Sequence, residues 1–333
     1  MAVVSTSKHE TLSAFFLFPV RQRRARFLGV ISPIKPPLLI KYKQLFKSKG
    51  IFNHVPENWV VLLISRATII RKPNSPEAEA ISKDLGNFLL SRKINVEYED
   101  VLRDSLIDKA RADLIIVVGG DGTIMRALRR TSSVPLLGVK VGALGFLCES
   151  TPEDAKQVLE KILSGNYYLD FRTRLSIHYK GKRFYDVTNE AVVASSKPAR
   201  ILSILLSKDK TTIYRGKADG IIVSTTTGST AYALSAGGAI IDPALEVMEV
   251  VLICPLSTGV RPLILPISSN LEISLLPEGS QGILVLDGDE VSSVDYGSPV
   301  VISRSENPAV FIRVNPPDFY RRVREKTRIP LEV

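Results

Sequence analysis

Cysteine is close to absent from this 333-residue chain: Cys148 and Cys254 lie far apart among apolar neighbours. Two such residues build no disulfide framework, and a reducing cytoplasm fits the usage. Histidine is equally scarce, with His9, His54 and His178 scattered without metal-ligand spacing. The apolar run from Ala14 to Val20 is too short to span a bilayer, and the charges follow it, the wrong order for a secretory signal. No membrane partner is expected. A GxGxxG after a strand is missing too, and the glycines at 142 and 145 have the wrong spacing to replace it, which argues against a hydride-transfer enzyme.

Acids are scarce in one stretch only. Residues 1–57 hold ten Lys or Arg against Glu10 and Glu57, and so carry eight of the ten net positive charges. The remaining body is close to neutral and lacks the footprint of a nucleic-acid binder. With its Arg cluster and the Pro-rich piece from Ser32 to Pro37, this stretch reads as an appendage. A disordered basic tail, or upstream sequence from a mis-assigned start codon, is preferred over an organelle transit peptide, because composition is a weak targeting signal.

What the chain does have is a core, at 45% hydrophobic content over a length that suits two domains. It is organised around DLIIVVGGDGTIMRALRR, Asp113 to Arg130. Leu114 to Val118 is apolar on consecutive residues, as in a strand buried on both faces of a parallel sheet. Gly119, Gly120 and Gly122 let the backbone turn and lie close to a ligand, and Thr123 is placed to cap the helix that follows. A strand, glycine loop and helix N-terminus aim N–H groups and the positive end of the helix dipole at one spot, which favours phosphate. Asp121 would repel that phosphate unless it holds Mg²⁺ or accepts a proton from the group being phosphorylated. A GGDGT string arises by chance in a chain of this length with probability of roughly 3 × 10⁻⁴, although a plain tight turn would look the same.

Around that stretch the chain alternates. Strands are expected over Val60–Ser65, Asn95–Tyr98, Leu114–Val118 and Pro135–Val139. Helices are expected over Pro76–Lys93, Thr123–Arg130 and Pro152–Leu163, the last opened by Thr151 and closed by Gly165. Such alternation argues a doubly wound α/β domain with its ligand outside the carboxyl ends of the strands. After Tyr167 the rhythm is all-β, in short runs: Arg174–Tyr179, Arg183–Val187, Glu190–Ala194, Ile201–Ser207, Thr211–Tyr214, Gly220–Ser224, Leu271–Leu275, Ile283–Leu286 and Val300–Ile302. Pro308–Pro317 and a helix over Phe319–Lys326 are expected to return to the first domain. The expected division is therefore 58–166 with 305–333, then 167–304. In the second half, Thr188-Asn189-Glu190 suits a ribose diol or an adenine edge, though a turn and an edge residue would read alike. The hydroxyl-rich stretch from Ser224 to Ile240 lets a substrate lie against the backbone, with Tyr232 as its sizeable stacking surface.

These residues carry a resemblance. GGDGT at 119–123, Asn189-Glu190, and DGIIVSTTTGSTAYALSAGG at 219–238 resemble, in order and spacing, the three signature blocks of the NAD kinase family, over roughly Val60 to Val314. The resemblance implies a Rossmann-like α/β N-terminal domain and a C-terminal β-sandwich. It implies transfer of the terminal phosphate of ATP, or of polyphosphate, to the 2′-hydroxyl of the adenosine ribose of NAD, with Mg²⁺ or another divalent metal for which no protein ligand is assigned. It further implies a homodimer or homotetramer in which a neighbouring subunit helps form the site.

Residue by residue, Asp121 would accept the ribose proton, Gly120, Gly122 and Thr123 would give the phosphates close backbone access, and Arg126 would stand near phosphate. Asn189 and Glu190 would hold the ribose and adenine of NAD, Arg200 and Lys217 align with variable, often basic contacts, and Asp219 with a nicotinamide-side contact. Thr227, with Thr230, Ala231, Tyr232, Ala233, Leu234 and Ser235, would form the adenine and ribose pocket. Asp289 departs from the pattern, since many members have Gln there, and its contact is left open. Because the transition state of phosphoryl transfer is loose and a carboxylate is a weak base, Asp121 would orient the hydroxyl throughout and take its proton late. Lipid kinases of the diacylglycerol and sphingosine type share GGDGT but lack TGSTAY with a following glycine pair. A non-catalytic dinucleotide sensor would tolerate loss of the acid. Deleting residues 1–55 is expected to leave activity intact; a folded truncation that is inactive in a turnover assay would make that stretch part of the working enzyme.

Overall fold

The computed structural model describes residues 64–101, 106–108, 110–131, 134–142 and 145–327. The basic stretch 1–57 and the start of the strand expected from Val60 lie outside the described residues. The first strand, β1, is Arg66–Arg71, later than expected. Asp113 sets its beginning, its carboxylate accepting the N–H groups of Ser65 (3.0 Å) and Arg66 (2.9 Å) and pairing with the Arg66 guanidinium.

There follow α1 (Pro76–Ser91), β2 (Asn95–Asp100), β3 (Leu114–Gly119), α2 (Asp121–Arg129), β4 (Leu136–Lys140), α3 (Ala155–Leu163) and β5 (Tyr168–Arg172). Ser75 caps α1, accepting the Ala78 N–H, with Pro76 at the first position, where its missing N–H costs nothing. The α3 helix begins three residues later than expected, because the carboxylate of Asp154 folds back to accept the Thr151 N–H and ties those residues into a turn. Gly165, at φ +80°, closes it as expected. Every residue of β3 is buried, and its side chains alternate. Leu114, Ile116 and Val118 pack with α1 and α3; Ile115 and Val117 pack on the other face against Ile124, Ala127 and Leu128 of α2. That double burial is why the run is apolar without a break.

The second half is antiparallel. Its strands are β6 (Leu175–Tyr179), β7 (Lys182–Arg183), β8 (Glu190–Ser195), β9 (Leu202–Lys208), β10 (Thr211–Ala218) and β11 (Gly220–Thr225). After a short helix, α4 (Tyr232–Ser235), come β12 (Val247–Ile253), β13 (Leu263–Pro266), β14 (Leu271–Leu275), β15 (Gly282–Leu286), β16 (Asp289–Val294) and β17 (Val300–Arg304). Two six-stranded sheets, ordered β10-β9-β14-β17-β6-β7 and β13-β12-β11-β8-β15-β16, enclose one apolar core that includes Ile177, Ile204 and Ile273 from the first and Val193, Ile221 and Leu284 from the second. The chain then returns as β18 (Ala309–Arg313) and α5 (Phe319–Thr327). β18 enters the first sheet, ordered β2-β1-β3-β4-β18-β5, parallel to β4 and antiparallel to β5. The fold is thus an α/β layer with a parallel sheet joined to an antiparallel β-sandwich. Strands β5, β12, β13 and β16 were not among those expected, and the run from Arg183 to Val187 forms strand only at Lys182–Arg183.

The two halves are clasped at the end of α2. Arg174, 1% exposed, donates from Nη1 to Leu128 O (2.9 Å), from Nη2 to Thr131 O (3.3 Å) and from Nε to Asn307 O (2.6 Å). It caps the carbonyl end of α2 with a cation from the sandwich side, where the dipole favours one. Replacing it removes three hydrogen bonds from a buried charged donor, so Arg174→Met is expected to cost about 3–5 kcal/mol in urea unfolding. A loss under about 1 kcal/mol would remove Arg174 from this role.

Candidate active site

The N-terminus of α2 is built as expected in outline and differently in detail. Gly120, extended at φ −102°, precedes the helix and no side chain caps it. Thr123 is not the cap: it lies inside the first turn, and its Oγ1 packs where a Cβ on Gly119 would sit, 2.5 Å away. The first N–H groups of the helix are therefore left for a ligand. They border a cavity of about 370 Å³ lined by Lys72, Pro73, Val101, Gly120, Gly122, Thr123, Arg126 and Val141. These residues follow the carboxyl ends of β1, β2, β3 and β4, where ligands of open α/β sheets bind. A Cβ on Gly120 or Gly122 would meet nothing within 4 Å, so the glycines leave open space at the cavity wall. Arg126 and Lys72 add two positive charges. Lys72 was missed in the sequence because β1 was expected to end at Ser65, which moves the functional end of the strand away from it.

Asp121, at the first position of α2, does not point into its own helix. Its carboxylate accepts the N–H groups of Phe146 (2.7 Å) and Leu147 (3.1 Å), and Lys326 of α5 stands 3.8 Å from Oδ2. Gly145 makes this approach possible, since any Cβ there would collide with the Asp121 carboxylate. Arg322 of α5 holds the same loop from outside, donating to Gly145 O (3.1 Å) and Cys148 O (2.6 Å). Burial, with the Asp121 charge second, pushes the Cys148 thiol up to about 12, so it is no nucleophile.

The second and third blocks meet each other. Asp287, just after β15, accepts the N–H groups of Thr188 (2.9 Å), Asn189 (2.7 Å) and Glu190 (3.2 Å). Burial raises it while those donors and Arg129 pull it down. Asn189 O accepts the Thr225 N–H at 2.9 Å, and Thr225 Oγ1 donates to Thr188 O (2.6 Å) while accepting the N–H groups of Thr227 and Gly228. A Cβ on Gly228 would strike the Asn189 backbone. Around this junction four buried side-chain oxygens have no hydrogen-bond partner: Thr188 Oγ1, Glu190 Oε2, Thr227 Oγ1 and Glu249 Oε2. Buried oxygens of this kind are met by ordered water or by a bound polar group. Burial first, and Asp287 second, push Glu190 up to about 8. Burial also raises Glu249, which accepts the Ala239 N–H and leaves room only for glycine at 238. Thr230, Ala231, Tyr232, Ala233, Leu234 and Ser235 follow directly, Ala233 buried and Tyr232 exposed.

Not every expected residue joins them. Ser224 pairs with Glu190 across β11 and β8, whereas Gly220 pairs with Ala194 at the opposite end, so Asp219 stands a strand length away, roughly 17 Å. Lys217, in β10 of the other sheet, and Arg200, in the loop before β9, are exposed. Arg129, on the same helix as Asp121, ties the halves together: it pairs with Asp289, donates to Asp287 O (2.6 Å) and lies over the Tyr185 ring. Asp289, whose contact the resemblance leaves open, is the Arg129 partner in that ion pair. Tyr320 of α5 donates to Asp242, just beyond the glycine pair, at 3.0 Å.

Fold and site together define an α/β protein with a phosphate-suited loop, joined to an antiparallel sandwich that carries a cluster of buried hydroxyl and carboxyl oxygens without hydrogen-bond partners. Comparison with known proteins agrees. A family model described as the ATP-NAD kinase N-terminal domain matches residues 68–167, and one for the C-terminal domain matches 188–314. An NAD kinase of Methanothermobacter thermautotrophicus is 37% identical over 272 residues, spanning 78% of this chain and 95% of the relative; one of Methanosphaera stadtmanae is 36% identical over 78% and 98%. The crystal structure of an NAD kinase from Archaeoglobus fulgidus in complex with ATP aligns with a TM-score of 0.66 at 30% identity, covering 79% of this chain and 98% of that one. Yeast NADH kinase complexed with NADH, at 22% identity and a TM-score of 0.71 over 80% and 87%, shares the fold. The chain belongs to the NAD kinase family.

Glu190 yields a pH dependence. A carboxyl raised from 4.5 to about 8 on folding stabilises the fold fully below 4.5, and that contribution is lost as pH rises toward 8. Melting followed by calorimetry from pH 5 to 8 should show the wild type losing several degrees relative to Glu190→Gln, which cannot ionise. Parallel curves would mean that Glu190 titrates normally.

Proposed function

We infer that the chain phosphorylates NAD, moving the terminal phosphoryl group of ATP to the 2′-hydroxyl of the adenosine ribose to yield NADP. The observation that carries this reading is the open N-terminus of α2, facing a cavity with Lys72 and Arg126, with a carboxylate at its first residue that is turned aside and held by backbone N–H groups. The cavity suits the nucleotide phosphates, with Gly120, Gly122 and Thr123 giving backbone access. The ATP-bound relative supports the donor; polyphosphate is the alternative donor.

In the step itself the ribose oxygen forms a bond to the terminal phosphorus as the bond from that phosphorus to the bridging oxygen breaks. ADP leaves, and the hydroxyl proton passes to Asp121. Asp121 orients the hydroxyl and takes the proton late, and Lys72 and Arg126 offset charge on the phosphates. Asn189, Glu190, Thr227 and the stretch from Thr230 to Ser235 receive the adenosine side of NAD; the unpartnered oxygens of Thr188, Glu190 and Thr227 support this. Glu190, neutral at pH 7, is suited to donate to an acceptor.

Among the described residues no group of three or more His, Cys, Asp or Glu side chains comes together to hold a metal ion, and the cavity is lined by cations. These residues do not fit a protein-held metal; a divalent ion enters as part of the ATP substrate. Asp219, a strand length away, and the exposed Arg200 and Lys217 fit a homodimer or homotetramer in which they face a neighbouring copy. We read 58–166 with 305–333 as the nucleotide domain and 167–304 as the NAD domain. Among the described residues no helix is long and apolar enough to cross a membrane. The sparse cysteine usage supports a place in the cytoplasm. A lipid kinase is not favoured, because the second and third blocks meet in a cluster of unpartnered hydroxyl and carboxyl oxygens rather than an apolar surface.

The activity is checked by incubating purified protein with Mg²⁺, ATP and NAD and coupling any NADP to an NADP-specific dehydrogenase. Asp121→Asn is expected to lower kcat by roughly 10²- to 10⁴-fold with NAD binding little changed. Turnover near the wild type would remove Asp121 from the proton transfer.

A further inference from the structure

One contact at the carboxylate has no part in the chemistry above. Lys326 lies 3.8 Å from Asp121 Oδ2, and its ammonium sits 5.0 Å from the centre of the Phe146 ring. Phe146 is also the residue whose N–H the same carboxylate accepts at 2.7 Å. Carboxylate, donor and ammonium thus close on one another. The placement follows from α5: Phe319, Arg322, Val323 and Lys326 recur at helical spacing on one face. Val323 is fully buried, and Arg322 is fixed by Asp318 on one side and by the carbonyls of Gly145 and Cys148 on the other. Lys326 is therefore delivered to Asp121 by a helix anchored on the very loop that holds it. The helix lies beyond residue 314, where the family's C-terminal match ends.

Asp121 stands between Gly120 and Gly122 of the cavity wall, so its charge opposes an anion bound there, and a cation within 4 Å of its carboxylate offsets that repulsion locally. Stability gains little from the pair, because the Lys326 and Asp121 side chains keep 29% and 30% of their surface exposed and such pairs contribute little to folding. We propose that Lys326 is a positioning residue for the phosphoryl transfer: it balances the charge of Asp121 and fixes the direction of its carboxylate, so that kcat depends on a side chain of the C-terminal helix. This rests on Asp121 being the proton acceptor.

The test compares wild type, Lys326→Met, Lys326→Arg, Asp121→Asn and the double variant Lys326→Met with Asp121→Asn, using the coupled NADP assay and calorimetric melting. Lys326→Met is expected to lower kcat about 10- to 100-fold, with KM for ATP and NAD within about twofold and melting unchanged. Lys326→Arg restores turnover to within a few-fold, and the double variant falls no further than Asp121→Asn alone. The proposal is overturned by wild-type kcat in Lys326→Met, by failure of Arg to rescue, by fully additive losses in the double variant, or by a lowered melting point that accounts for the lost turnover. Wild-type turnover in Lys326→Met removes Lys326 and leaves the kinase reading standing, whereas a wild-type protein that makes no NADP ends both.

Discussion

The backbone N–H groups of Phe146 and Leu147 converge on the Asp121 carboxylate, and the rest of the site is arranged around that contact. An aspartate in the first turn of a helix ordinarily turns toward the free N–H groups beside it. Here that would consume the donors a phosphate needs. By drawing the carboxylate sideways, the loop after Gly145 keeps both functions available: an open helix end for an anion and a fixed acid beside it. The same demand reaches further out. Gly145 must lack a side chain for the loop to approach, and Arg322 must hold the carbonyls of that loop so that its N–H groups face inward.

The sandwich repeats the device with a different acid. Asp287 collects three successive N–H groups, from Thr188 to Glu190, and so rigidifies the strand start that carries Asn189. An anion satisfied by backbone donors is costly to move, because each donor would be left buried without a partner. The two cradled acids are then tied to one helix. Asp121 opens α2, and Arg129 near its end bonds Asp287 O and Asp289, about 12 Å along the axis. A shift of one half against the other would have to break a charge-assisted contact at the far end of the helix that carries the acid.

Much of this was legible in the chain because period and composition speak directly to it. Leu114 to Val118 is apolar on both faces since both faces are covered, and the glycines that follow leave open space where the cavity lies. β18 could be assigned to the first sheet because FIRV resembles its buried strands. The misses have physical causes as well. β1 begins at Arg66, where a distant side chain, Asp113, captures the N–H groups of Ser65 and Arg66, and no local pattern reports a partner 47 residues away from Arg66. Lys72 was lost with that boundary. Asp287 has no local mark of a cradle, since three N–H groups distant in sequence, from Thr188 to Glu190, define its role. β12 hides its alternation because Glu249 is buried within it, facing Gly238. α5 reads as a polar surface helix; only the tertiary contact shows that one of its faces supports the catalytic loop.

Fixing α2 at both ends also bears on how catalysis is supplied. Arg174 neutralises its carbonyl end from the sandwich side, while the amide end, with Lys72 and Arg126, is left to the ligand. The dipole is thereby aligned, and its donors held, before any nucleotide arrives. A loose transition state offers the protein little covalent chemistry to perform, so rate comes from charges and dipoles already in position when the phosphoryl group moves. The ordering was done in folding, by buried arginines and cradled carboxylates. On the proposed reading, substrate binding adds the ribose hydroxyl, and an α2 fixed at both ends would turn the seating of that sugar against Asn189 and Glu190 into its distance from Asp121.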